Sequence, residues 1–301
     1  MPLGLADILR CPNCADRLET AEGRLDCQGC GLPYPVLVDL PVLVPSPHEW
    51  VASYRDSVLA TLAERNADYI EVELALAFAE VGRGAEPRRF GDDWVASEVG
   101  GLIDDIVGGP VLGELDALLE AAEKNSMGRV LETAIPERVE FAVDLGCGAG
   151  NYTLQLAERC SRVAALDLSL RAVATASSRA DNIEGVVSDL DNRIPLADNC
   201  ADLVLAANLF DIVEDSAGAI VRAARILRPG GTLIASSPDP NLGLPEIHDE
   251  IPLIDGAVVA AGLEIVSVRD GVPWVRRHNG RHLELYLTRV VVGRRPTLSI
   301  A

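Results

Sequence analysis

The chain has 301 residues, 49% of them apolar, and a formal net charge of −20. That length holds one sizeable α/β domain with one or two smaller units, and that apolar content excludes global disorder. The acid excess argues against nucleic acid as a partner, because non-specific binding needs Lys and Arg to neutralise phosphates.

The first residues show no basic stretch running into an apolar one, and no run of about 18 uncharged apolar residues occurs anywhere. The expectation is a cytoplasmic chain without a membrane span. Residues 1–47 are rich in Cys, Pro and Gly. Within them, Cys11-Pro12-Asn13-Cys14 and Cys27-Gln28-Gly29-Cys30 stand 12 residues apart. Two such pairs offer four thiolates, and zinc prefers tetrahedral sulfur ligation. A closed set of Cys11, Cys14, Cys27 and Cys30 leaves no position for water, so the expected role is structural. Metal binding would supply on the order of 10 kcal/mol toward folding a unit too small for much core of its own. Pro41, Pro45 and Pro47 then mark an exit linker.

Residues 48–135 read as a helical cap or linker region. Amphipathic helices are expected over 54–80 and 111–134, with a Gly- and Arg-rich loop over 82–93 between them. His48 reads as structural. Tyr54, Tyr69, Phe90 and Trp94 are the aromatic candidates for a pocket wall.

The third region, 136–301, alternates short β-branched runs with helical stretches. Strands are expected at 140–145, 162–166, 183–188, 201–206 and 232–236, a pattern that specifies an α/β fold with a doubly wound, largely parallel sheet. The rhythm then changes. Two strand-like runs, 263–275 and 281–292, flank Arg277-His278-Asn279-Gly280, and Asn-Gly is a hairpin signal. Seven arginines (269, 276, 277, 281, 289, 294, 295) lie in this stretch against Glu264, Asp270 and Glu284. Such a run reads as a solvated strand face or as a guide for an anionic acceptor.

The segment Phe141-Ala142-Val143-Asp144-Leu145-Gly146-Cys147-Gly148-Ala149-Gly150 carries the chemistry. An apolar strand runs into glycines, which let the backbone turn tightly and approach a ligand. The helix that follows presents free N–H groups. Asp167 ends the second strand, 23 residues after Asp144, where a carboxylate can accept both hydroxyls of a ribose. Asp189 ends the third strand, with Leu190 and Ile194 near enough to sandwich an adenine ring.

With these residues in place, positions 136–295 resemble the class I S-adenosylmethionine-dependent methyltransferases, in the style of the group containing quinone-biosynthesis methyltransferases. The resemblance implies a Rossmann-like sheet with an antiparallel C-terminal hairpin and S-adenosylmethionine as cofactor. It implies a binding set of Asp144, Gly146, Cys147, Gly148 and Gly150 around the methionine part, Asp167 and Leu168 at the ribose, and Asp189 and Leu190 at the adenine. Asn208, past the fourth strand, would face the reacting centre. Around the cysteines, Leu9-Arg10-Cys11-Pro12, Cys30-Gly31-Leu32-Pro33-Tyr34-Pro35-Val36 and Leu40-Pro41-Val42-Leu43 resemble the small zinc-ribbon proteins that activate RNA and protein methyltransferases as separate subunits. They are also similar to the N-terminal ribbon of ribosomal RNA guanine methyltransferases.

Methyl transfer to a hydroxyl, amine or carbon acid also needs a proton removed. Asp211, in Asn208-Leu209-Phe210-Asp211, and His248, in Pro245-Glu246-Ile247-His248, are the candidate bases. Glu214 and Asp215 read instead as carboxylates favoured at a helix start. The Asn/Asp-Pro-Pro-aromatic motif of nucleic-acid and amide N-methyltransferases is absent after the fourth strand. The expected acceptor is therefore a small molecule, with O-, N- and C-methylation all open and the ribbon and cap shaping its pocket or forming a homodimer contact. The rival readings are an RNA or protein methyltransferase that docks its substrate on the ribbon, and a non-catalytic scaffold that keeps the fold.

Overall fold

The computed structural model of the chain describes residues 4–82, 126–210, 212–238, 254–279 and 282–297. Its strands are β1 (Leu18–Ala21), β2 (Arg24–Cys27), β3 (Pro33–Leu37), β4 (Leu40–Leu43), β5 (Val139–Leu145), β6 (Cys160–Asp167), β7 (Ile183–Ser188), β8 (Ala201–Ala207), β9 (Leu227–Pro238), β10 (Glu264–Asn279) and β11 (His282–Arg294). The helices are α1 (Pro47–Ser53), α2 (Arg55–Glu64), α3 (Tyr69–Val81), α4 (Met127–Ala134), α5 (Asn151–Ala157), α6 (Leu170–Ser177), α7 (Ser216–Ile226) and α8 (Ile254–Ala260).

All eleven strands form one sheet in the order β1-β2-β3-β4-β7-β6-β5-β8-β9-β11-β10. The five expected strands are present as β5 to β9, and β4, β7, β6, β5, β8 and β9 run parallel. Strands buried on both faces read as near-continuous apolar runs, and every residue of β7 is buried. Buried side chains alternate between two cores. Val143, Leu145, Val204 and Ala206 face α7 and α8, whereas Ala142, Val163, Leu203 and Leu205 face α1 to α6. The chain closes with the antiparallel hairpin β10–β11, whose register ends at Asn279 opposite His282.

Two expectations are corrected. The stretch 54–80 is not one helix. Tyr54 separates α1 from α2, and Asn66 takes a left-handed φ of 55° after α2. Asp68 then starts α3 with a capping box: its carboxylate accepts Glu71 N–H at 2.9 Å while Glu71 accepts Asp68 N–H at 3.2 Å. Apolar spacing carries across such breaks, whereas the capping residues do not permit a continuous helix. Nor is the proline-marked stretch a plain linker. Pro41 lies inside β4, opposite Val36 of β3, and the same strand pairs with β7 through Val42 and Val187. Of the second expected helix, 111–134, the described part forms α4 (Met127–Ala134); the rest of it and nearly all of the expected loop over 82–93 lie outside the described residues, as do Phe90 and Trp94.

The β3–β4 connection is a two-residue turn, Val38-Asp39, with both φ values positive, 48° and 64°. A β-branched residue is strained there. Glu71 holds the turn from α3 by accepting Val38 N–H at 2.7 Å. His48 packs as its reading as structural expects, stacked on Phe78 at 4.3 Å.

Candidate functional site

The parallel strands β7, β6, β5 and β8 end side by side, and their order reverses between β5 and β8. In such sheets the crevice outside the carboxyl ends at this switch is where ligands bind. The glycine-rich turn sits there. Gly146, Gly148 and Gly150 have φ of 73°, 50° and 85°, a conformation open to residues without a Cβ. Gly146 and Cys147 donate their N–H groups to the Leu166 carbonyl at 2.8 and 3.0 Å, closing the turn on β6. A Cβ at Gly150 would lie 2.7 Å from the Cα of Ala176, so this glycine also lets α5 start against α6.

The carboxylates are held from within. Asp167 accepts Gly148 N–H and Ser169 N–H, each at 3.0 Å. Burial pushes its carboxyl up, and these N–H bonds oppose the rise. Asp144 is buried beneath the turn and accepts the Thr153 hydroxyl at 2.6 Å. Burial pushes it up to about 7, the Thr153 bond opposes this, and the neighbouring Asp167 adds to it. Asp189 orders the next loop, accepting Asp191 N–H at 3.1 Å and the Asn192 amide at 3.0 Å. Asn208, at a left-handed φ of 54°, accepts the Ser236 hydroxyl at 3.0 Å and gives its N–H to the same Ser236.

Asp144, Gly146, Gly148, Gly150, Asp167, Asp189 and Asn208 are thus gathered at the strand ends. Cys147 is buried, and burial raises its thiol well above its ordinary value. Leu168 packs partly buried against the core on the α1–α6 face. Leu190 and Ile194 belong to the opposite core, together with Leu5, Leu9 and Tyr34 of the ribbon. Asp211 and His248 lie outside the described residues. Asp215 caps α7 by accepting Gly218 N–H at 2.9 Å, and Glu214 is exposed. Tyr54 is buried, whereas Tyr69 is exposed. Sequence reasoning missed Thr153 and Ser236, the two hydroxyls that orient Asp144 and Asn208. Thr153, three residues past Gly150 on the expected helix, carried the one available signal.

The second cluster lies in the ribbon. The ligand atoms of Cys11, Cys14, Cys27 and Cys30 all fall within 4.8 Å of one another, with Cys11–Cys30 at 3.6 Å and Cys14–Cys27 at 3.3 Å. A zinc–sulfur tetrahedron has edges of about 3.8 Å, given bonds of about 2.3 Å, so the four sulfurs fit such an ion. Tyr34, fully buried, places its hydroxyl 3.1 Å from Cys11 Sγ. Burial raises the Cys11 thiol, and hydrogen bonds from Tyr34 and from the Cys14 and Asn13 backbone outweigh this, bringing it to about 7.

Residues 143–235 match the family model described as a methyltransferase domain. A trans-aconitate 2-methyltransferase of Rhizobium leguminosarum is 34% identical over 126 residues, covering 41% of this chain and 48% of that protein. A malonyl-[acyl-carrier protein] O-methyltransferase of Serratia marcescens is 29% identical over 159 residues, covering 52% and 61%. The chain thus spans about half the length of these curated relatives. Among solved structures, the complex of the Haloferax volcanii Trm112 methyltransferase activator with a methyltransferase matches 70% of this chain and 100% of the matched one, with 20% identity and a TM-score of 0.51. Residues 143–235 thus match a methyltransferase domain, and the described strands and helices around them share a Rossmann-like fold with the solved neighbour.

Proposed function

We propose that the whole chain transfers a methyl group from S-adenosylmethionine to a small-molecule acceptor, with a structural zinc in the ribbon. The observation that carries this reading is the left-handed glycine turn after β5 with the Asp167 carboxylate directed at it from β6. The named activities of the trans-aconitate and malonyl-carrier-protein enzymes support a small acceptor, and the acid excess supports it against RNA.

The cofactor's sulfonium supplies an activated methyl group, and in-line displacement makes positioning the main task of the protein. Gly146, Gly148 and Gly150 keep the backbone low where the methionine part would lie. Asp167 keeps lone pairs for the ribose hydroxyls beyond its two N–H bonds, Asp189 and Leu190 border the adenine, and Asn208 is held toward the reacting centre by Ser236. Asp211 and His248 are the proposed proton acceptors. The zinc reading rests on the four sulfurs, and the pairing of β4 with β7, which builds the ribbon into the sheet, supports a structural role for it.

The test is calorimetric titration of the zinc-replete chain with S-adenosylmethionine. Micromolar binding that falls at least 100-fold in Asp167→Ala, with the fold intact by circular dichroism, is the expected result. Absence of binding by the folded parent would overturn the reading and favour a non-catalytic scaffold.

A further inference from the structure

A cavity of about 320 Å³ lies away from the cofactor crevice, between α4 and the C-terminal hairpin. That volume is at the lower end of small-molecule sites. Its walls are about half apolar, including Val130, Ile135, Val266, Val290 and Val292. Strand pairing sets Thr232 opposite Arg294, Ser267 opposite Val292 and Arg269 opposite Val290, and directly paired residues project from the same face of a sheet. The hydroxyls of Thr232 and Ser267 and the guanidinium groups of Arg269 and Arg294 therefore share one face and line this cavity.

Two details single the cavity out. Thr232 is 2% exposed, and its hydroxyl has no hydrogen-bond partner among the described residues. A buried polar group left unpaired is destabilising, which a ligand would relieve. Other arginines of the hairpin are engaged: Arg289 pairs with Asp255 and Asp270, and Arg295 donates to the Leu227 carbonyl. The side chains of Arg269 and Arg294 make no ion pair or hydrogen bond among the described residues. Glu137 lies in the same lining, and Glu264 is paired opposite Arg294 across the strands, so the two guanidinium groups are the cationic side chains at the cavity of a chain whose total is −20. Thr232 precedes Ser236, the partner of Asn208, by four residues, about 13 Å along a strand at about 3.3 Å per residue.

From this geometry we infer a second ligand site for a small carboxylate with an apolar body. The acyl part lies against Val130, Ile135, Val290 and Val292, and the carboxylate meets Arg269, Arg294 and the Thr232 hydroxyl. The probe is sodium octanoate, titrated calorimetrically into the full zinc-replete chain. One saturable site of sub-millimolar Kd is expected, with the Kd unchanged within twofold by saturating S-adenosylhomocysteine. The double variant Arg269→Gln/Arg294→Gln, altered at exposed side chains, keeps the parent melting temperature and weakens octanoate at least tenfold. Thr232→Val melts no lower than the parent and weakens it severalfold. Lack of saturable binding, equal affinity in either variant, or displacement by S-adenosylhomocysteine would overturn the assignment.

Discussion

Gly31 in the ribbon and Gly150 at the crevice both hold left-handed backbone, with φ of 72° and 85°, yet their surroundings differ completely. A Cβ at Gly31 would meet nothing within 4 Å, whereas one at Gly150 would collide with Ala176. The contrast extends to whole regions. The ribbon has strands of four or five residues and gathers its order around four sulfurs. The central sheet is ordered by close packing on both faces. The same backbone requirement is thus met by open space in one region and by a crowded helix contact in the other.

The sharpest way to break that comparison is to remove the sulfurs. Cys11→Ser with Cys27→Ser, or extraction by a strong chelator, should lower thermal stability by more than any single packing change, since metal binding contributes on the order of 10 kcal/mol. Because β4 is paired to β7, the loss should extend to the cofactor domain and appear as reduced S-adenosylmethionine binding. An unchanged melting temperature would mean that the ribbon folds by packing alone. Next in size, Gly150→Ala should cost roughly 2–5 kcal/mol in urea unfolding, combining left-handed strain with overpacking. A cost near that of an exposed turn glycine would contradict the crowding at Ala176.

Smaller again is a pH effect at Asp144, whose carboxyl rises from 3.8 to about 7 on folding. Below about pH 4 it is neutral in both states and contributes no penalty. Between about 4 and 7 the folded chain keeps a proton that the unfolded chain gives up, so stability falls as pH rises, and the full cost persists above 7. The upper bound is about 4 kcal/mol at about 1.36 kcal/mol per pKa unit. Asp144→Asn should flatten that decline when unfolding is followed from pH 4.5 to 8, and an unaltered slope would remove Asp144 as its source. Smallest of all, Gly31→Ala should cost only about 1–2 kcal/mol, visible as a modest shift in the melting curve.

The sheet of the cofactor domain was legible because its strands are apolar on both faces, and the glycines and Asp167 because each performs a local task at a strand end. The four cysteines were legible from spacing alone. What escaped the reading depends on contacts distant in sequence. Nothing local to Leu40-Pro41-Val42-Leu43 announces β7 as its partner, and the prolines there pointed toward a linker. Leu190 and Ile194 also share a core with Leu5 and Leu9, a contact set by where the ribbon docks. The break at Asn66 was signalled by Asp68 and Glu71, whose capping pattern competes with an uninterrupted apolar stripe. The Ser236 latch on Asn208 crosses between β8 and β9, and no spacing rule reveals it.

The pairing of Val42 with Val187 also sets a timetable. During synthesis β4 leaves the ribosome 145 residues before the strand it must join (187 − 42). At about 5–20 residues per second, that is a wait of roughly 7–30 s. An unpaired strand edge exposed for that long invites pairing with other nascent chains. A ribbon clasped early through its four cysteines would hold β4 against β3 through the interval and present it, already shaped, when β7 arrives.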